Sequence, residues 1–154
     1  MNIFYIDKDP ALSAQGLMDT HVRKMILESC QLLMTHDTIN GKQRPYLPTH
    51  TMHPCRIALR NVNNYIWLSI YLGELCKEFE YRFGHKHACE EHYFRFYSQP
   101  SSMTFETDFP QCMPDEFKCP STIEAYRAYY RAKYFDFMLD GMHKYTNRNK
   151  PIWL

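Results

Sequence analysis

Two long stretches in which apolar residues recur at helical spacing set the limits on what this chain can fold into. The first opens at Asp9-Pro10, a capping residue followed by a proline suited to the first turn. Met18, Val22, Met25, Ile26, Leu32 and Leu33 then fall on one side of a helix running to about Met34. The second starts at Pro54, passes through Leu59, Val62, Ile66, Leu68, Leu72, Leu75 and Phe79, and stops at Gly84, which can take the left-handed conformation that closes a helix. A shorter helix is expected from about Ala88 to Phe96. Ser121 and Glu124 form a Ser-x-x-Glu capping box ahead of a tyrosine-rich helix to about Tyr145. The proline- and serine-containing stretch from about Ser98 to Pro120 has no clear period and reads as a loop ordered by its phenylalanines. Nine prolines against five glycines favour helices joined by proline-punctuated loops over a glycine-rich sandwich or barrel. A chain of 154 residues, 45% of them hydrophobic, can bury about two-thirds of its unfolded surface in one core. The expected fold is mostly α: a compact single domain over residues 1–154, with a short extended segment at Asn2–Ile6 ahead of the helices.

No apolar stretch approaches the roughly 20 residues that cross a bilayer, and acids stand early where a secretory leader would have a basic end. The expectation is a cytoplasmic protein without a membrane partner. Six cysteines at 30, 55, 76, 89, 112 and 119 form no Cys-x-x-Cys pair and suit a reducing compartment. The formal charge of +1 demands no polyanionic partner by itself, yet from Lys118 onward seven Lys and Arg face three acids. An anionic ligand would therefore be held by a local patch.

Candidate chemistry concentrates in three places. His21, Lys24, Glu28 and Gln31 cluster on a face of the first helix turned away from its apolar stripe. Such a face is commonly only solvated, but a carboxylate beside a lysine and an imidazole is also a usable acid/base set. Asp19 lies nearer the apolar edge, where a polar group needs a partner. The segment from Pro48 to Pro54 puts His50 and His53 just before a helix start that also carries Arg56 and Arg60, an arrangement suited either to plain capping or to phosphate. Zinc would need more ligands than these histidines supply, and His85, His87, Cys89 and His92 match no standard spacing, so neither metal nor cofactor is expected. On the last helix Tyr126, Tyr129, Tyr130, Tyr134, Phe135 and Phe137 alternate with Arg127, Arg131 and Lys133. Most of these rings read as core; the mixture also suits base stacking and phosphate contact.

Several short motifs, in order along the chain, carry a resemblance: Asn2-Ile3 with Ile6, Ala14-Gln15-x-Leu17-Met18, Asn40-Gly41-Lys42, Pro48-Thr49 followed by His53, Arg82-Phe83-Gly84, and Met113-Pro114-x-Glu116-Phe117-Lys118. Together they resemble the phage pyrimidine-dimer DNA glycosylase (endonuclease V) family. The chain also resembles small phage proteins sharing the Asp-x-Asp-Pro and His-x-x-Lys-Met-x-Leu-Glu patterns. The glycosylase resemblance implies a compact helical domain that binds damaged duplex DNA, flips a base and cleaves through a Schiff base on its N-terminal amine, assisted by a glutamate of the first helix. Asn2 stands where that family has its nucleophile. An ungapped comparison puts Arg23 at the glutamate's position, with Asp19 and Glu28 the nearest acids. The resulting expectation is a nucleic-acid-acting enzyme of the cytoplasm, that of the bacterial host cell if it is phage-encoded. Its catalytic candidates are Glu28, Asp19, His21 and His53, with Lys24, His50, Arg56, Arg60, Arg23 and Arg127 holding DNA or nucleotide phosphate. A non-catalytic nucleotide-binding or host-protein-inhibiting protein and a metal-dependent hydrolase are the alternatives.

Overall fold

The computed structural model describes residues 2–96 and 106–154, and these form a mostly helical domain without a β-strand among them. Its helices are α1 (Pro10–Gln15), α2 (Asp19–Ile39), α3 (Pro54–Ala58), α4 (Val62–Phe83) and α5 (Thr122–Leu139), with 3₁₀ turns at Ala88–Arg95 and Asp115–Phe117. The part of the predicted loop covering residues 98–105 lies outside the described residues.

Helix α4 is the spine. It packs along α2 and α1, while α3 and the longer 3₁₀ segment lie against α2. Trp67 and Tyr71 on α4 stack at 4.8 Å, and Trp67 donates from its indole nitrogen to the Lys8 carbonyl at 2.7 Å. Tyr5 and Phe109 close over Trp67 with centroid distances of 5.0 and 5.3 Å. The apolar stripe expected on the first helix is buried throughout. On the second, Leu59, Leu68, Leu72, Leu75 and Phe79 are buried and Val62 is exposed.

Both long predicted helices are in fact broken. The first pauses at Gly16–Met18 because tertiary partners take over the backbone groups there: the Met18 N–H donates to the Tyr130 hydroxyl at 2.8 Å. It then continues past the expected end to Ile39. The second breaks after Ala58, where Asn61 caps α4 by accepting from the Asn63 N–H at 2.9 Å. Gly84 closes α4 with φ of 71°, as the sequence predicts. The short helix near residue 90 is 3₁₀, and α5 ends at Leu139 instead of Tyr145. The apolar opening is a tight turn, not a strand. The Asn2 side-chain oxygen accepts from the N–H groups of Ile3 and Phe4, and Phe4 adopts a left-handed φ of 46° that a phenylalanine rarely takes.

The fully buried Arg82 guanidinium locks this arrangement. It donates to Glu78 at 2.7 Å on its own helix, to the Leu17 and Gln15 carbonyls at 2.8 and 3.0 Å, and to Asp19 at 3.0 Å. Arg148 of the C-terminal tail meets Glu78 from the other side at 2.7 Å. Removing one partner of a buried charged network leaves the others uncompensated, at a typical cost of about 3–5 kcal/mol. Arg82→Met should therefore lower unfolding stability by about that amount. Urea unfolding checks it, and a loss under about 1 kcal/mol, the level of a surface pair, would show that the cluster does not hold the fold.

Candidate functional site

Helix α2, the N-terminal turn and α5 enclose a pocket of about 260 Å³. Helix α2 supplies His21, Lys24 and Glu28, whose spacings of three, four and seven residues put them on one face. The turn supplies Asn2 and Phe4, α5 supplies Tyr129, Lys133 and Phe137, and Cys112 closes one side. The sequence left open whether this face is only solvated; α5 and the N-terminal turn cover part of it, leaving His21 only 5% exposed while the Lys24 side chain stays 64% exposed.

Glu28 is the centre of the pocket's polar contacts. Its side chain is 13% exposed, one carboxylate oxygen accepts from the Asn2 backbone N–H at 3.0 Å, and the other lies 3.5 Å from the Lys24 ammonium. The walls are aromatic: Phe4 stacks with Tyr129 at 6.2 Å and lies 4.7 Å from the His21 ring, and Phe137 is 5.1 Å from His21. Lys133 sits over Tyr129, its ammonium 5.5 Å from the ring centre. Two lysines and one carboxylate give the pocket a net positive charge.

His21 adds no charge. The Tyr130 hydroxyl accepts the Met18 N–H at 2.8 Å and shares a hydrogen bond with His21 Nδ1 at 2.9 Å. Burial, followed by the nearby charges of Lys24 and Lys133, pushes the ring's pKa down to about 4. It cannot serve as a protonated acid near neutral pH.

A second cavity of about 480 Å³ adjoins this pocket, sharing Cys112 and Tyr129 and extending past His53 to Lys118. Here His53, Cys55 and Cys112 bring one donor atom each within 4.8 Å of one another, the only such group of three found among the described residues. The Cys55 thiol donates to the Cys112 sulfur at 3.5 Å, drawing Cys112 down to about 7 and pushing Cys55 up. The His85, His87, Cys89 and His92 stretch, dense in sequence but of no standard ligand spacing, does not converge: His85 and His87 pack on Phe79, and His92 bonds the Tyr46 hydroxyl.

Several sequence candidates serve the fold. Asp19 accepts from Arg82 and from both the N–H and the hydroxyl of Thr146. Burial raises its pKa, but these bonds outweigh that and hold it below the usual carboxylate value. Arg56, expected to hold phosphate, is buried and donates to the Thr51 carbonyl at 2.6 Å. Arg127 is taken up by the Ile6 carbonyl, Asp7 and Glu124. Arg23 covers the Phe83 ring at 4.3 Å, and Arg60 lines a separate hollow with His36 and Tyr65. His50 is exposed, 6.5 Å ring to ring from His53. Of the ten residues singled out by sequence, the pocket gathers His21, Lys24 and Glu28, and the adjoining cavity takes His53. Sequence reading missed Phe4 and Cys112, for which no local signal exists, and reached Asn2 only through the family resemblance.

Comparison of the chain with protein-family models, with curated proteins and with solved structures finds no match. Among the described residues no helix is long and apolar enough to cross a membrane.

The His21 environment predicts a definite pH response. Above pH about 6.5 the ring is neutral in both folded and unfolded chains and contributes nothing. As pH falls from there toward 4, the unfolded chain takes up a proton that the folded ring refuses, so stability declines by up to about 1.4 kcal/mol per pH unit. Nuclear magnetic resonance titration of the His21 ring should give a midpoint near 4. A midpoint near 6.5 would mean that the ring is not held as described.

Proposed function

We propose that the pocket around Glu28 receives one nucleotide unit of a nucleic acid and that the protein cleaves its N-glycosidic bond. The observation carrying this reading is the carboxylate of Glu28 facing the nitrogen of residue 2 at 3.0 Å inside an aromatic-walled, cationic pocket. A glutamate on a helix working beside that nitrogen is what the glycosylase resemblance implies. The ungapped comparison offered Arg23 in that role, but the residue meeting Asn2 in space is Glu28, five positions later.

The chemistry follows from the neighbours. The ammonium of Lys24 is paired with Glu28 at 3.5 Å, and a substrate that covers the pair and excludes water would favour passage of its proton to the carboxylate. The freed amine attacks the sugar C1′ while the bond to the base breaks and its electron pair leaves with the base. The C1′–oxygen bond of the ring then breaks as the nitrogen lone pair forms the Schiff base on Lys24, and the proton held by Glu28 passes to that oxygen, which restores the carboxylate. Phe4, Tyr129 and Phe137 offer faces on which a base extruded from the stack can lie, and Lys133 offers a charge for phosphate. All six cysteines are free thiols, which suits a protein meeting its nucleic acid in a reducing cytoplasm.

Duplex oligonucleotides, undamaged, ultraviolet-irradiated or carrying an abasic site, incubated with borohydride provide the test. The expected outcome is a covalent adduct on the damaged duplexes that maps to Lys24. It should fall at least about 100-fold in Glu28→Gln while the circular dichroism of that variant is unchanged. Binding should also weaken steeply with added salt, because phosphate contacts release counterions. Absence of any adduct or strand cleavage, or undiminished turnover in the folded Glu28→Gln variant, would remove the glycosylase reading.

A further inference from the structure

We propose that His53, Cys55 and Cys112 bind one zinc ion, with a fourth coordination position open to the cavity that reaches Lys118. This proposal does not rest on the N-glycosidic reading, since neither Glu28 nor Lys24 is a ligand, although Cys112 also lines the Glu28 pocket.

The donor set argues for zinc. Two thiols and an imidazole are soft to borderline ligands, which favour zinc over magnesium or calcium. Their spread fits as well. Tetrahedral zinc with bonds of about 2.3 Å to sulfur and about 2.0–2.1 Å to nitrogen sets its ligands roughly 3.5–3.8 Å apart. Here the sulfurs are 3.5 Å apart, at that spacing, and the histidine donor lies within 4.8 Å of both, so that closing on a metal would draw it in by up to about 1 Å. A disulfide would need the sulfurs at about 2.0 Å.

The scaffold holds these donors in place beforehand. His53 is the N-cap of α3 and Cys55 lies two residues on, in its first turn, with Pro54 fixing the backbone between them. His53 Nδ1 accepts from the Cys55 N–H at 3.2 Å, a bond that holds the ring over the first turn of α3 beside the two thiols and that a metal taken by this nitrogen would replace. Cys112 comes from the distant segment before α5 and is pinned on both sides. Its N–H donates to the Tyr126 hydroxyl at 3.3 Å, and its carbonyl accepts from the Asn2 side-chain amide at 2.9 Å. Backbone restraints of this kind orient a metal ligand from its second shell.

Three protein ligands beside a cavity define the open kind of zinc site, whereas structural sites are closed by a fourth. The cavity of about 480 Å³ is lined by His53 and Cys112 and has Lys118 on its wall, so the open position can take water or an anion.

The test is metal analysis of the full chain purified under reducing conditions without chelator, followed by cobalt replacement. The proposal expects one zinc per chain and, with cobalt, a thiolate-to-cobalt charge-transfer band together with tetrahedral d–d bands that shift on addition of azide. Cys55→Ser and Cys112→Ser should each lose the zinc, whereas Cys119→Ser and His50→Ala should keep it. The cobalt spectrum of the unaltered chain reads the site even where a variant does not fold. Failure of the unaltered chain to hold stoichiometric zinc or to show the charge-transfer band would overturn the proposal. So would a Cys55–Cys112 disulfide in the protein as purified. Zinc loss in a folded His50→Ala, or bands indifferent to azide, would overturn the open fourth position.

Discussion

The Arg82 guanidinium is the contact on which the rest of this fold depends. The interruption between α1 and α2 leaves carbonyls at Gln15 and Leu17 without helical partners, and a buried unpaired carbonyl is costly. Arg82 satisfies both from the end of α4, while its remaining donors reach Glu78 and Asp19. Asp19 in turn holds Thr146, and Glu78 holds Arg148, so the C-terminal tail is drawn onto the same cluster. The charges within it balance, two guanidinium groups against two carboxylates. Because α2 begins at Asp19, the cluster also fixes the rotation of that helix and so the direction in which His21, Lys24 and Glu28 point.

The limits of sequence reading follow from the same physics. Apolar spacing located the cores of α2, α4 and α5, because burial is a repeating local pattern. The breaks at Gly16–Met18 and Leu59–Asn61 were not legible, since apolar spacing carries on through both. What ends each helix lies partly elsewhere: the Tyr130 hydroxyl on α5 receives the Met18 N–H, and Asn64 donates to the Ala58 carbonyl and to that of Asp108. The left-handed Phe4 was equally hidden. Nothing in an apolar run such as Ile-Phe-Tyr-Ile announces a turn, and the conformation is imposed by Asn2 bonding forward to the next two N–H groups.

For the site, helical geometry sufficed to group His21, Lys24 and Glu28, but not to say whether they face water. That depends on α5, whose Tyr129, Lys133 and Phe137 arrive from more than a hundred residues away. Charge counting misled where arginines were concerned. Arg56 and Arg127 read as phosphate ligands, yet Arg56 is buried with its Nε on the Thr51 carbonyl, and Arg127 is engaged by the Ile6 carbonyl, Asp7 and Glu124. Asp19 was read more nearly: a carboxylate at an apolar edge needs a partner, and it finds Arg82 and Thr146. Cys55 and Cys112 lie far apart in sequence and match no ligand spacing, so their meeting is visible only in three dimensions.

The electrostatics of the two neighbouring cavities decide what each can hold. In the first, neutral His21 leaves Lys24 and Lys133 opposed by Glu28 alone, so an anion is attracted while one carboxylate stays available for proton transfer. Were His21 charged, a third cation would compete for Glu28. In the second, Lys118 is the lone cation facing the thiol pair among the lining residues. Cys112 and Tyr129 line both cavities, so a ligand reaching from one to the other must pass them. The Asn2 side chain that bonds the Cys112 carbonyl belongs to the residue whose backbone N–H bonds Glu28. Movement of the N-terminal turn would therefore disturb the Glu28 pocket and the His53–Cys55–Cys112 cluster together, which makes that turn the mechanical link between them.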